Sequence, residues 1–373
     1  MEQLRPFRIE FSERAIEDLR RRIANTRWPE TPWDTGWTTG THDGVLRDLA
    51  AYWARDYDWS AWQERLNARA HIRGPIEGEE IHAMVDLGPA GQTPLLVIHG
   101  WPGSFVEHLE SSRLLAAEGF DVVVPSIPGF AFSDAAREPG MSPVKVAERL
   151  HQFMGALGYD RYGVQGGDWG AIIGTALARA HPEAVVGLHV NFAIGAPPPQ
   201  GEEPSAEERE FLGGRATFEQ EETGYSRIQG TRPQTLGYAQ TDSPVGLLAW
   251  ILEKFWAWTD HGDDLWASID RDLVLTNVTL YWLTGSITSA ARIYYEASHN
   301  RGGYGLGRVE VPTAYARYPK EPWGAPRSMV ERAYHLVHYS EMDAGGHFAA
   351  LEQPEAFSRD VATFFHGLGA PAR

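Results

Sequence analysis

The chain has no cysteine, so disulfides, thiolate nucleophiles and cysteine-held metal are excluded. Basic residues are scarce, 33 against 50 acidic ones, for a formal charge of −17. With no basic stripe to neutralise phosphates, this balance argues against a nucleic-acid partner. No stretch approaches the 18 or so uninterrupted apolar residues that a membrane span needs, and the first ten residues lack the apolar core of a signal peptide. The expectation is a soluble, cytoplasmic protein without a membrane anchor. What is present is a 373-residue chain, 43% hydrophobic and 12% aromatic. That is enough to bury a large core, as one domain with additions or as two.

The periodicity divides the chain. Ser12 can cap a helix over 13–26, with Ile16, Leu19 and Ile23 on one face. Further helical patterns follow around Leu46, Leu49 and Trp53 and around Trp62 and Leu66, and these read as an N-terminal extension (residues 1–69) packed on a core. From residue 70 the period changes. Strands are expected over 70–76 and 80–87 with a turn at Glu77-Gly78, then at 95–98, 122–124, 162–166 and 184–191, with helices between. Apolar strands alternating with helices imply an α/β fold with a mostly parallel, doubly wound sheet. Beyond Phe192 the alternation stops. A helical block over 196–300 reads as a lid on the carboxyl ends of the strands, where ligands bind in such folds. The sheet resumes at 311–318 and 335–342, and a helix over 354–366 closes the chain. Gly302, Gly303, Gly305 and Gly307 precede a strand and open no helix, so they read as a loop and not as a dinucleotide fingerprint.

The densest chemical signal is Gly166-Gly167-Asp168-Trp169-Gly170. A short apolar run ends in paired glycines, and a helical pattern starts directly after one acid. This is the grammar of a nucleophile elbow. Gly166 and Gly170 leave room for the chain to double back, and Gly167 is expected to take a backbone angle other residues resist. An isolated Gly-Gly-Asp is ordinarily a turn or a helix cap, so the reading depends on partners elsewhere. A carboxylate nucleophile needs a base to activate the water that later removes its ester, and a histidine oriented by a second acid supplies one. Among fourteen histidines, His347 in Ala344-Gly345-Gly346-His347-Phe348 stands just past the last strand, where this fold places that base. Glu321, directly after strand 311–318, is the candidate orienting acid, with Glu341 and Asp343 as rivals. Backbone N–H groups of Trp101 and Trp169 are placed to meet an oxyanion on the Asp168 carbonyl. His99 is expected to tie down the loop it begins. Neither a metal nor another cofactor is expected.

These motifs, with His99-Gly100-Trp101-Pro102-Gly103-Ser104, resemble those of the microsomal-type epoxide hydrolases of the α/β-hydrolase superfamily. The similarity extends to Arg27-Trp28-Pro29, Asp242-Ser243-Pro244-Val245-Gly246-Leu247 and Tyr281-Trp282-Leu283-Thr284-Gly285, so it covers nearly the whole chain. The resemblance implies that two lid tyrosines, matching Tyr225 and Tyr294, donate hydrogen bonds to the epoxide oxygen, and that Glu321 stands where the family has Asp or Glu. Tyr295 competes with Tyr294 by one residue. Mammalian members begin with a membrane anchor, and none is expected here. The implied activity is conversion of apolar epoxides and water to vicinal diols through an Asp168 ester. A homodimer is possible. A haloalkane dehalogenase and a non-catalytic ligand-binding protein of the same fold remain as alternatives.

Overall fold

The computed structural model describes residues 4–31, 33–89, 93–300 and 307–369. The chain opens with a two-residue strand β1 (Arg5–Pro6) and three helices, α1 (Glu13–Ala24), α2 (Asp43–Arg55) and α3 (Trp59–Asn67). Ser12 caps α1 by accepting from the Ala15 N–H, Glu13 lies at the positive end and Arg21 and Arg22 at the negative end, and the buried face carries Leu19 and Ile23. Strands β2 (Ala70–Ile76) and β3 (Glu79–Asp86) form a hairpin. Its two loop residues, Glu77 and Gly78, both have positive φ (48° and 82°), as the tightest hairpin turn demands.

The strands β4 (Leu95–Ile98), β5 (Val122–Pro125) and β6 (Tyr162–Gly166) are buried along their whole lengths. With β7 (Val185–Val190), β8 (Val309–Arg317) and β9 (Tyr334–Glu341), they complete a nine-stranded sheet in the order β1-β2-β3-β5-β4-β6-β7-β8-β9. Pairs from β5 to β9 are parallel, while β1, β2 and β3 form an antiparallel flank. Helix α4 (Leu109–Ala117) packs on the terminal helix α16 (Pro354–Gly367), and α5 (Pro143–Ala156) packs on α6 (Asp168–Ala180). The chain passes from β4 outward to β5, then returns to lay β6 on the other side of β4. The carboxyl ends of β4 and β6 therefore flank a switch point, the place where open α/β sheets bind ligands. Short helices α14 (Arg327–Ala333) and α15 (Ala349–Glu352) border β9.

Among the described residues, seven helices lie between β7 and β8: α7 (Ala206–Glu221), α8 (Gly224–Thr231), α9 (Pro233–Asp242), α10 (Pro244–Trp258), α11 (Leu265–Ser268), α12 (Arg271–Thr284) and α13 (Ile287–His299). Ser205 and Glu208 form the capping box their spacing implies. The N-terminal helices join the buried core, and part of their contact is with this insertion. The Trp53 indole donates to Thr279 at 2.9 Å, Tyr57 meets Thr276 at 2.9 Å, and Trp37 stacks on Trp256 at 4.4 Å. Among the described residues no helix is long and apolar enough to cross a membrane. The glycine-rich segment falls at 302, 303 and 305 outside the described residues. Gly307 lies two residues before β8.

Candidate active site

The turn from β6 into α6 is held by glycines for lack of space. A Cβ on Gly166 would stand 2.3 Å from the Gly170 backbone, and one on Gly170 only 1.9 Å from the Ile98 carbonyl oxygen. Gly167 does not take the unusual backbone angle anticipated for it. Its φ of −117° is ordinary extended geometry, and it is glycine because a Cβ would lie 2.7 Å from the Asn191 side chain. The left-handed conformation falls on Asp168 itself, at φ 49°. A non-glycine residue there costs on the order of 1 kcal/mol or more, which the close packing of β4 against α6 sustains.

The Asp168 carboxyl is gripped on both oxygens. The Trp101 N–H donates to Oδ1 at 2.8 Å, and His347 Nε2 stands 3.4 Å from Oδ2. Gly100 makes this possible, since a Cβ there would meet Asp168 Oδ1 at 2.4 Å. Trp169 is the next residue and lies in the first turn of α6, at the end from which backbone N–H groups project. On its far side, His347 Nδ1 bonds Glu321 Oε2 at 2.8 Å, and the other Glu321 oxygen accepts from the Trp323 N–H at 3.0 Å. The rivals lie elsewhere: Glu341 is exposed and bonded by the Tyr339 hydroxyl, and Asp343 is exposed. Burial alone would depress the His347 imidazole. The Glu321 charge and the bonds to Asp168 outweigh it and push the imidazole well above its ordinary range. Both acids that flank the imidazole thus favour its protonated form.

Opposite the elbow, Tyr225 of α8 and Tyr294 of α13 come together. Their rings meet edge to face at 5.8 Å. Trp101 stacks on Tyr225 at 5.1 Å and meets Tyr294 edge-on at 5.8 Å, and Trp169 packs edge-on against Tyr294 at 4.7 Å. Burial pushes both phenols well above their usual range, aided at Tyr225 by the nearby Asp168 and at Tyr294 by Tyr225 and then Asp168, so both stay protonated donors. Tyr295 points away, 36% exposed and stacked on His299. A cavity of about 530 Å³ opens from Asp168, Tyr225 and Tyr294 between apolar walls that include Ile172, Phe192, Phe218 and Trp323.

Several supporting residues were not foreseen. Asn277 and Tyr281, one turn apart on α12, donate to the carbonyls of Pro102 and Gly103, both at 2.7 Å, and so fix the loop that carries the Trp101 N–H. Glu352 accepts from the backbone N–H groups of Asp260, Gly346 and Phe348, at 2.8, 2.8 and 2.9 Å, and holds the His347 loop. Their i, i+4 spacing puts Asn277 and Tyr281 on one helix face, but nothing in sequence says what that face meets. His99 ties down its loop as expected: Nδ1 bonds the Gly100 carbonyl and Nε2 accepts from the Ile127 N–H. Burial drives it down to about 4, so it is neutral.

A carboxylate at a β6–α6 elbow beneath a helical insertion defines an enzyme of the α/β-hydrolase fold. Comparison with known proteins agrees and is more specific. Residues 4–108 match the family described as epoxide hydrolase N terminus, and residues 93–213 match the alpha/beta hydrolase fold. Epoxide hydrolase 1 of Oryctolagus cuniculus is 36% identical over 97% of this chain and 89% of its own. The crystal structure of juvenile hormone epoxide hydrolase from the silkworm Bombyx mori superposes with a TM-score of 0.92 at 34% identity, covering 99% of this chain and 95% of that one. The structure of Aspergillus niger epoxide hydrolase gives 0.89 at 29% identity, over 99% and 97%. The chain belongs to the epoxide hydrolase family, which decides among the three readings that the sequence motifs left open.

Proposed function

We propose that the chain converts apolar epoxides to vicinal diols through a covalent ester on Asp168. The observation that carries this reading is the two-sided grip on one carboxyl: a backbone donor on Oδ1 and the imidazole of His347 at Oδ2. In the first step Oδ2 attacks an epoxide carbon and the ring C–O bond breaks, while Tyr225 and Tyr294 donate hydrogen bonds to the oxygen as it becomes an alkoxide. That oxygen gains a proton, and the one His347 held in its resting ion pair balances it. Esterification removes the Asp168 charge that had favoured the imidazolium, so the ring becomes a base. In the second step His347, oriented by Glu321, takes a proton from water as the water oxygen bonds Asp168 Cγ. The developing oxyanion at Oδ1 meets the N–H groups of Trp101 and Trp169; the Cγ–O bond to substrate then breaks, the departing oxygen takes the proton of the newly added hydroxyl, and the diol leaves with the Asp168 carboxylate and the His347 cation restored. Each such donor is typically worth about 2.7–4 kcal/mol in the transition state.

In this reading residues 196–300 form the lid, residues 1–69 brace it, and 70–195 with 301–373 make the hydrolase body. The apolar cavity walls support an apolar epoxide as substrate. One turnover in heavy-oxygen water tests the mechanism. Label should enter the Asp168 carboxyl and be absent from the first diol released. Label in that first diol would mean that water attacks the ring directly.

A further inference from the structure

Helix α10 carries a charge where its pattern calls for an apolar residue. Leu247, Ile251, Lys254 and Trp258 are all buried and follow one another at helical spacing along one face. The chain has three lysines, Lys145, Lys254 and Lys320; the other two are exposed, while Lys254 is only 4% exposed. Burying an ammonium costs free energy that an apolar side chain of similar volume would not. Glu253 offsets part of that cost as an ion-pair partner at 2.6 Å. The ammonium also meets two aromatic rings. Nζ lies 4.6 Å from the centre of the Tyr225 ring and 5.4 Å from that of Trp258, both within reach of a cation–π attraction. Trp258 in turn meets Tyr225 edge-on at 5.3 Å and His347 edge-on at 4.8 Å, and its carbonyl accepts from the His347 N–H at 2.9 Å.

We infer that Lys254 is a positioning residue for the first step, its ammonium holding the Tyr225 ring and drawing electron density from it, so that the phenol donates more strongly to the oxygen of the opening epoxide. The inference rests on the ester mechanism proposed above. The face of an aromatic ring is negative, so a cation over it fixes the ring by attraction. The same cation favours the negative charge that the hydrogen bond spreads from the alkoxide onto the phenol. Tyr294 is packed against the neutral rings of Trp169, Trp101 and Tyr225, so the two phenols are not equivalent donors. In the second step the group that gains charge beside Trp258 is the His347 imidazole. A positive charge gives an imidazolium no help, so that step does not depend on Lys254.

Lys254→Met keeps the length of the stem and removes the charge, and Lys254→Leu is a second neutral variant. In rapid-mixing experiments both should form the ester about three- to thirtyfold more slowly than the parent and hydrolyse it at close to the parent rate. The defect should vanish where Tyr225→Phe has already removed the hydroxyl, and persist beside Tyr294→Phe. It should also be smaller with trifluoromethyl oxirane than with propylene oxide, which has the same shape but yields a more basic alkoxide. Four results would each overturn the inference and leave Lys254 a packing residue: neutral variants that do not fold, equal slowing of both steps, a defect that simply adds to that of Tyr225→Phe, or one equal for the two epoxides. Failure of the underlying ester reading looks different: no mass increase from an ester would form in any variant, His347→Gln included.

Discussion

Replacing Tyr294 with phenylalanine should move stability and catalysis in opposite directions. The ring is anchored on three sides, by Trp169 at 4.7 Å and by Trp101 and Tyr225 at 5.8 Å. The Trp169 indole and the Tyr225 phenol are near enough to bias its proton affinity, but no aligned hydrogen bond satisfies the buried oxygen. A buried hydroxyl without a partner costs roughly 1–3 kcal/mol of desolvation, so deleting it should leave folding unharmed or improve it by up to that amount. In a chain of this size each kcal/mol moves the melting temperature by on the order of 2 °C. In the proposed mechanism the hydroxyl has a task only when an alkoxide forms beside it. Losing one such donor should cost about 2.7–4 kcal/mol, which is 10²–10³-fold in ring opening. Stopped-flow tryptophan fluorescence can follow the first step, since Trp101 and Trp169 flank the phenols, and calorimetry can follow unfolding. A variant that melts several degrees lower while opening epoxides at the parent rate would refute the argument on both counts.

Glu321→Gln keeps the shape beside His347 and removes the charge that holds the imidazole up. Ester hydrolysis should fall by on the order of 10²–10⁴-fold and its acid limb should move to lower pH, read from single-turnover rates; an unmoved limb would mean that another acid orients the ring. Gly170→Ala would force a Cβ to 1.9 Å from the Ile98 oxygen, with only backbone available to yield. The cost should be about 1–3 kcal/mol or more, with ester formation lost as the Trp101 N–H shifts from Asp168, and a well-folded active variant would contradict it. Glu208, on α7, accepts from the Ser328 hydroxyl, then from Arg332 and the Ser205 N–H, and these bonds draw its carboxyl down to about 2. Its folded value lies below its unfolded one, so its contribution is complete above the usual glutamate range and is lost as pH falls from about 4.5 toward 2. Acid unfolding of the parent should therefore steepen through that window, and Glu208→Gln should flatten it.

The sequence displayed the layers of this fold because burial imposes strong periods on them. The strand at 162–166 was placed to the residue, and the apolar runs at 95–98 and 122–124 left little choice. Shorter or polar elements escaped. Strand β1 is two residues long, α15 is four, and α14 has no long apolar stripe to betray it. Asp168 and His347 were legible because a tight turn demands small neighbours and those neighbours are rare. Gly167 shows the limit of such reasoning. Its presence was rightly tied to the turn, but its cause is the Asn191 side chain and not its own backbone angle, a distinction that only three dimensions supply. The same holds for Asn277, Tyr281 and Glu352, whose partners lie 175, 178 and up to 92 residues away. Long-range hydrogen bonds to backbone leave almost no local signature.

Four acids, Asp168, Glu107, Glu321 and Glu352, stand close enough to His347 to act on its charge or to be acted on by it. Burying that many negative charges around one cation would be prohibitively costly, and the surroundings of each acid show how the cost is avoided. Asp168 and Glu321 touch the imidazole and each also accepts a backbone N–H. Glu352 touches no cation. Burial drives it up to about 7 even though three backbone donors pull against that. Glu107 has no such backbone donors, and burial carries it further, to about 8. The two acids farthest from the imidazole's nitrogens are thus the ones that hold protons near neutral pH. In the proposed mechanism Asp168 loses its charge on esterification as His347 gives up its proton, so the net charge of the pair changes little. A site built this way needs no large reorganisation between its two steps, which is the condition under which fixed dipoles such as the Trp101 N–H are most effective.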